Sequence, residues 1–277
     1  MGVAVFDGCD IAVITHATKT LPELGRSDVL AYPGAPNTDL LSTVVDNLRN
    51  FTGLSTISIV FDHKVDCDIS CAYLANLRLF CQDKELRLLV SPSALAMPSQ
   101  QTATYAFHLA SSASESPYML LWEHDHLFHE VIDWNRIQQA MDHGAAMIRF
   151  NRRPNHSVVG SVPEMVEACG FSEDLCRTDY YCNGPFIARR SWLKPLFDLA
   201  LREPPSWNGC FGGFVEGPIN RRMLADCHNK SEEEYRHLYP IYLYGGLNAQ
   251  PIVSHFGEFL GRRGRWLAAL RRAGLWR

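Results

Sequence analysis

Apolar and polar positions along the chain change period several times. Asp10 to Ala17 is a short run rich in β-branched residues, Thr38 to Phe51 carries apolar side chains at helical spacing, and Leu54 to His63 is a second apolar run closing in Asp62. Together they read as strand, helix, strand. Ala72 to Gln82 has a helical pattern, Leu86 to Ser93 reads as a strand followed by a polar loop through Gln101, and Thr102 to Ala113 reads as a helix. Tyr118 to Trp122 is a buried strand, Ile132 to Gly144 an amphipathic helix with a glycine stop, and Ala145 to Arg153 another strand. Strands that alternate with helices predict an α/β fold: a mainly parallel, Rossmann-like sheet flanked by helices on both faces. In such sheets ligands bind beyond the carboxyl ends of the strands, which puts Thr15, His16 and Asp62 on the ligand side.

From about residue 151 the character changes to loops with prolines, glycines, cysteines and aromatics, and no long helical repeat is expected before the C-terminal segment. This gives residues 1–150 as a nucleotide-binding half, 151–260 as a second half of the same domain that supplies a substrate pocket, and 261–277 as a basic tail.

Composition narrows the class. The 277 residues are 47% hydrophobic and 20% charged, which excludes a disordered tail, a collagen-like fibre and a coiled coil. The net charge of -4 conceals an asymmetry, because residues 261–277 hold six arginines and no acid. Removing those six from 26 basic residues leaves 20 against 30 acidic ones, so the body carries about -10. An acidic body is a poor general binder of nucleic acid. Nine cysteines without a CxxC pair suggest reduced thiols in a cytoplasmic protein. The start lacks a signal-peptide pattern, Phe6 breaks the myristoylation pattern, and no apolar run is long enough to span a membrane. The sequons at Asn50, Asn155 and Asn229 are taken as chance.

Glu123-His124-Asp125-His126, directly after an apolar strand, carries the most chemistry. If the segment stays extended, Glu123 and Asp125 point to one side and the two histidines to the other. Two such carboxylates suit a hard divalent ion with open positions for phosphate oxygens, Mn²⁺ or Mg²⁺. The alternative is zinc on His124, His126 and His129, or no metal at all, as in a solvated turn.

Asp62 ending one strand and Glu-His-Asp ending another resemble the GT-A glycosyltransferases, in which an Asp-x-Asp motif binds a metal-bridged nucleotide-sugar diphosphate. The resemblance runs over residues 10–260 in the order of elements and is specific in a few short stretches. Glu123 stands where the family has its first Asp, so Asp125 is the favoured ligand. The segment Trp207 to Met223 is similar to the acceptor-side segment of inverting members, and Glu216 matches their general base. A Gly follows it where a second acid is usual, and an acid placed well by a helix dipole is the alternative.

His255 matches a late histidine that completes the metal or diphosphate site. Cys182 to Trp192 resembles the strand after the metal site, which implies Asn183 and Gly184 on the acceptor side, with Arg189 and Arg190 solvated or paired to phosphate; Gly213, in the Trp207 to Met223 segment, is implied for the acceptor as well. Thr15, His16, Asp62, Glu123 and Arg153 are implied for the donor, and Arg149 and Arg152 for phosphate or acceptor. The resemblance implies sugar transfer from a nucleotide sugar to a glycan or lipid-linked acceptor in surface polysaccharide synthesis.

The basic tail, with Trp266, Leu267, Leu270, Leu275 and Trp276 among its arginines, suits a peripheral contact with an anionic membrane or a helix packed on the body. A nucleotidyltransferase that makes nucleotide sugars would share the sheet and the carboxylates, although His16 to Arg26 is not the Gly-rich basic loop expected there. A zinc-binding non-transferase is the other alternative.

Overall fold

The computed structural model describes residues 8–17, 38–54, 56–94, 99–152, 154–155, 169–172, 174–202 and 215–255. The chain forms β1 (Cys9–His16), α1 (Asp39–Thr52), β2 (Ile57–Lys64), α2 (Asp68–Asp83), β3 (Arg87–Ser93), α3 (Ser99–Ala113), β4 (Tyr118–Glu123) and β5 (His126–Phe128). There follow α4 (Trp134–Asp142), β6 (Met147–Arg149), β7 (Cys169–Ser172), β8 (Leu175–Arg177), β9 (Phe186–Arg189), α5 (Arg190–Arg202), α6 (Glu216–Asn229), α7 (Glu232–Leu238), β10 (Ile241–Tyr244) and β11 (Val253–His255).

Nine strands make one sheet in the order β3-β2-β1-β4-β9-β6-β10-β8-β7, and β11 pairs with β5 in a separate two-stranded ribbon. The pairings give β8 and β9 one direction and the other seven strands the opposite one. The architecture is therefore α/β, with a largely parallel sheet between helical layers. Strand alternation divides the core. Ile11, Val13, Ile59, Phe61, Leu120 and Trp122 face α1, α2 and α4, whereas Ala12, Ile14, Val60, Met119 and Leu121 face α3, α5, α6 and α7. Helix α1 shows why these segments are helical: Leu41, Val44, Val45 and Leu48 fall on one buried face, each worth about 1.5–3 kcal/mol, and Gly53 at φ 67 closes the last turn.

The second half departs from the expected loops. It contains α5, α6 and α7, because the helical period is real but interrupted. In α5, Leu193, Phe197 and Ala200 form the buried stripe, but Pro195 lies among them and obscures it. In α6, Gly217 and Pro218 occupy the first turn, where a missing N–H costs little. Strand β9 also lies between β4 and β6, so late residues complete the sheet begun by early ones.

Trp122 is fully buried, with Phe128 4.3 Å away ring to ring, and its indole N–H donates to the His126 carbonyl at 2.9 Å. Trp122→Phe is expected to cost about 1–3 kcal/mol by leaving that carbonyl without its donor. Trp122→Ala is expected to cost about 3–5 kcal/mol, both read as lowered stability in urea titration.

Candidate functional site

The floor of the site follows from the pleat. His16 pairs in register with Asp62, and Ile14 with Glu123, so the last residues of β1 and β4 meet Asp62, near the carboxyl end of β2, at one end of the sheet. His16, Asp62 and Glu123 continue the face of Ile14, Val60 and Leu121. Thr15 points to the opposite face, where its buried hydroxyl lies 2.9 Å from that of Tyr73 on α2. Asp62 is buried; Ser93 donates to it at 3.4 Å and the Lys64 ammonium stands 3.8 Å away.

Beyond Glu123 the chain does not stay extended. A turn at His124 and Asp125 breaks the two-residue period and brings the buried His126 back to the carboxylates instead of away from them. His126 Nδ1 lies 2.9 Å from Asp125 Oδ1 and 3.6 Å from Glu123 Oε2. Glu123, Asp125 and His126 each present a ligand atom within 4.8 Å of the others, the one such group among the described residues. The zinc set reads differently as well: the His129 ring is 2.7 Å from the Pro251 carbonyl, and His124 stacks edge-on against His16 at 4.8 Å. Asn47 of α1 fixes β5 by giving and taking one hydrogen bond each with the Phe128 backbone, both 2.8 Å. On the other edge of β5 the backbone of His255 pairs with His126; its side chain lies outside the described residues.

The opposing wall belongs to α6. Glu216 is its first residue, and its Oε1 accepts from the Asn183 N–H at 2.6 Å. One turn on, the fully buried Asn220 accepts from the Tyr181 N–H at 2.9 Å and donates to the Tyr181 carbonyl at 2.8 Å. Residues 181–183 are thereby held like a strand beside a helix.

The Glu123 side chain keeps 35% of its surface open although protein surrounds it, the setting of a group at the floor of a cleft. Burial, then the Asp125 and Glu216 carboxylates, raise its pKa well above the usual range, while Arg152 opposes them. The protein crowded around the His16 ring and the neighbouring His124 pull its pKa down to about 4, although the residue still reaches solvent, so its imidazole is neutral at pH 7. Cys182 is pushed up to about 11 by burial and the neighbouring Glu216.

The structure thus brings Glu123, Asp125, His126, His16, Asp62, Arg152, Asn183 and Glu216 to one end of the fold, with Gly184 beside Asn183. Arg153, Gly213 and residues 261–277 lie outside the described residues. Arg149 lies beside the Tyr181–Cys182 loop, and Arg189 and Arg190 are engaged elsewhere. Arg149 donates to the Tyr180 carbonyl. Arg189 donates to the Ala145 and Met141 carbonyls and lies over Tyr118, and Arg190 donates to the Ser116 carbonyl. Arg189 and Arg190, both half-exposed, are therefore spent on backbone carbonyls rather than on phosphate: Arg189 closes the end of α4 and the link to β6, and Arg190 the start of β4. Sequence reasoning missed Asn47, Asn220 and Tyr181. A weak signal existed in the asparagines, which disfavour helix interiors unless the side chain has a partner. The sequon residue Asn155 is buried, with its amide on the Tyr244 and Gly245 carbonyls.

The sequence matches no protein-family model and no curated protein. Among solved structures it is similar to a Bacillus anthracis protein assigned as a glucose-1-phosphate thymidylyltransferase, in complex with sucrose (13% identity, 94% of this chain and 95% of that one, TM-score 0.48). It is also similar to a mannose-1-phosphate geranyltransferase from Thermus thermophilus (13% identity, 90% and 76%, TM-score 0.44). A third is a 4-diphosphocytidyl-2C-methyl-D-erythritol synthase from Anaerococcus prevotii (9% identity, 94% and 98%, TM-score 0.44). No described helix is long and apolar enough to cross a membrane.

Asn220→Ala leaves both Tyr181 backbone groups without partners and is expected to lower stability by about 1–3 kcal/mol in urea titration. With iodoacetamide at pH 7, the exposed Cys71 is expected to alkylate well before Cys182, read by peptide mass mapping.

Proposed function

We propose that the chain is a transferase of sugar nucleotides and, within that class, a metal-dependent glycosyltransferase acting on a glycan or lipid-linked acceptor. One observation carries this reading. The carboxylates and imidazole at the end of β4 face a carboxylate on a separate element, Glu216, near enough for Glu216 to raise the cost of ionising Glu123. Two carboxylates and an imidazole form a donor set that suits Mn²⁺ or Mg²⁺. Glu123, Asp125 and His126 would hold that ion, with His255 a further candidate ligand. When bound, the ion neutralises charge on the departing diphosphate.

The chain's own residues do the rest. His16 and Asp62 line the donor side along the strand ends, and Arg152 adds positive charge near Glu123. Glu216 takes the proton of the acceptor hydroxyl while that oxygen attacks the anomeric carbon and the bond to the diphosphate breaks, its electrons leaving with the diphosphate. A single in-line displacement inverts the anomeric centre. The Asn183 N–H fixes one Glu216 oxygen at 2.6 Å, which orients the other for the acceptor.

A thermal-shift screen of nucleoside diphosphates and nucleotide sugars with Mn²⁺ tests the donor site. Ligand at 100 times its dissociation constant adds about 2.7 kcal/mol, and Asp125→Asn is expected to abolish the shift. Glu216→Gln is expected to keep the shift and lose about 10²–10⁴-fold in diphosphate release. Pyrophosphate formed from a nucleoside triphosphate and a sugar 1-phosphate, with no turnover of nucleotide sugars, would assign a nucleotidyltransferase instead. Residues 261–277 are proposed to contact anionic membrane at about 1 kcal/mol per Arg near the surface. Deleting them is expected to end co-sedimentation with phosphatidylserine vesicles.

A further inference from the structure

The loop held by α6 carries two polar atoms that are left unsatisfied among the described residues. The Tyr181 hydroxyl and the Asn183 side-chain carbonyl are closed to solvent and have no hydrogen-bond partner among the described residues. Their residues keep 0% and 5% of their surface. Such atoms are costly, and folds generally avoid them. Both belong to residues beside Glu216. The Asn183 N–H donates to its Oε1, and Glu216 is the charge that acts most strongly on the Tyr181 phenol, which burial keeps neutral. The loop cannot relieve the atoms by shifting its backbone, because Asn220 and Glu216 pin Tyr181 and Asn183 in place. Cys182 and Gly184 are half-exposed, so the loop borders the surface on either side of Asn183.

The chemistry of the two atoms selects a ligand group. A carboxamide oxygen only accepts, and a neutral phenol has a proton to donate. An anion beside Glu216 is repelled and gives Asn183 nothing, while an ammonium leaves the phenolic proton unused. A carbohydrate carries several hydroxyls, each able to donate and to accept, and so suits both atoms.

We propose that Tyr181 and Asn183 form a hydroxyl-binding subsite beside Glu216 that takes a carbohydrate acceptor through a hydroxyl neighbouring the one that reacts. A turn of the Asn183 side chain opens it, since the backbone is fixed. The proposal rests on the glycosyltransferase reading for the reacting hydroxyl, whereas binding of the carbohydrate needs neither nucleotide nor metal.

The test is saturation-transfer NMR on the full chain, free of metal and nucleotide, titrated with D-glucose, D-galactose and D-mannose. At least one sugar is expected to bind, and Tyr181→Phe and Asn183→Ala are each expected to weaken it roughly 5- to 50-fold, the loss of one buried hydrogen bond. Tyr181→Phe removes a hydroxyl that has no partner among the described residues, so the melting temperature of the empty variant is expected to equal or exceed that of the wild type. No sugar bound by the wild type, unchanged affinity in both variants, or a lowered melting temperature for Tyr181→Phe would overturn the proposal. Failure here leaves the donor reading standing, and failure of Mn²⁺ and nucleotide binding overturns that reading without altering the sugar titration.

Discussion

Strand β4 has to stay dry along its length and still deliver charge at its last residue. Met119 to Trp122 have no exposed surface, β1 flanks the strand on one side and β9 on the other, and Glu123 follows immediately. The transition works because Trp122 does two things at once. Its ring fills the core against Phe128, and its N–H holds the His126 carbonyl, which forces the intervening residues into a turn. A carboxylate at the end of a dehydrated strand is otherwise expensive to ionise, and charge of the opposite sign nearby offsets that cost. The distribution of acids and imidazoles around the turn follows from this single junction.

Two asparagines repeat one device at different places. Asn47 grips the Phe128 backbone from α1, and Asn220 grips the Tyr181 backbone from α6, each through one donated and one accepted bond. A carboxamide presents the same donor and acceptor pair as a peptide group, so each acts as a one-residue strand partner projecting from a helix. The turn of Glu123, Asp125 and His126 and the Glu216 wall are thereby fixed to opposite layers of the sandwich, and the sheet between them keeps the two in relation.

The first half of the fold was legible because its elements are uniform: β-branched strands, amphipathic helices and a clean alternation between them. The second half was not, because Pro195 and the Gly217-Pro218 pair mask helices whose apolar stripes are otherwise regular. The acid and histidine cluster was visible as composition, but its geometry was not. An extended reading separates the carboxylates from the histidines, and the indole bond that folds His126 back joins residues four apart through backbone and side chain. Thr15 and His16 look equivalent in sequence, yet the pleat sends one to Tyr73 and the other to the cleft. Arg189 and Arg190 carry no sign of the carbonyls they close, since those belong to segments more than 40 residues away.

The place of β9 constrains how the chain is made. Its partner residues in β4 precede it by 65 residues at the Leu121 to Phe186 pairing, and β6 lies on its other side. During synthesis β4 therefore emerges with one edge unsatisfied and keeps it so until residues beyond 189 leave the ribosome. The apolar strand that ends in the acid cluster spends that interval as an open template for pairing. Sheet completion is a late insertion rather than an addition at an edge, so the nascent chain gains most from a chaperone between the emergence of β4 and that of β9 from the ribosome.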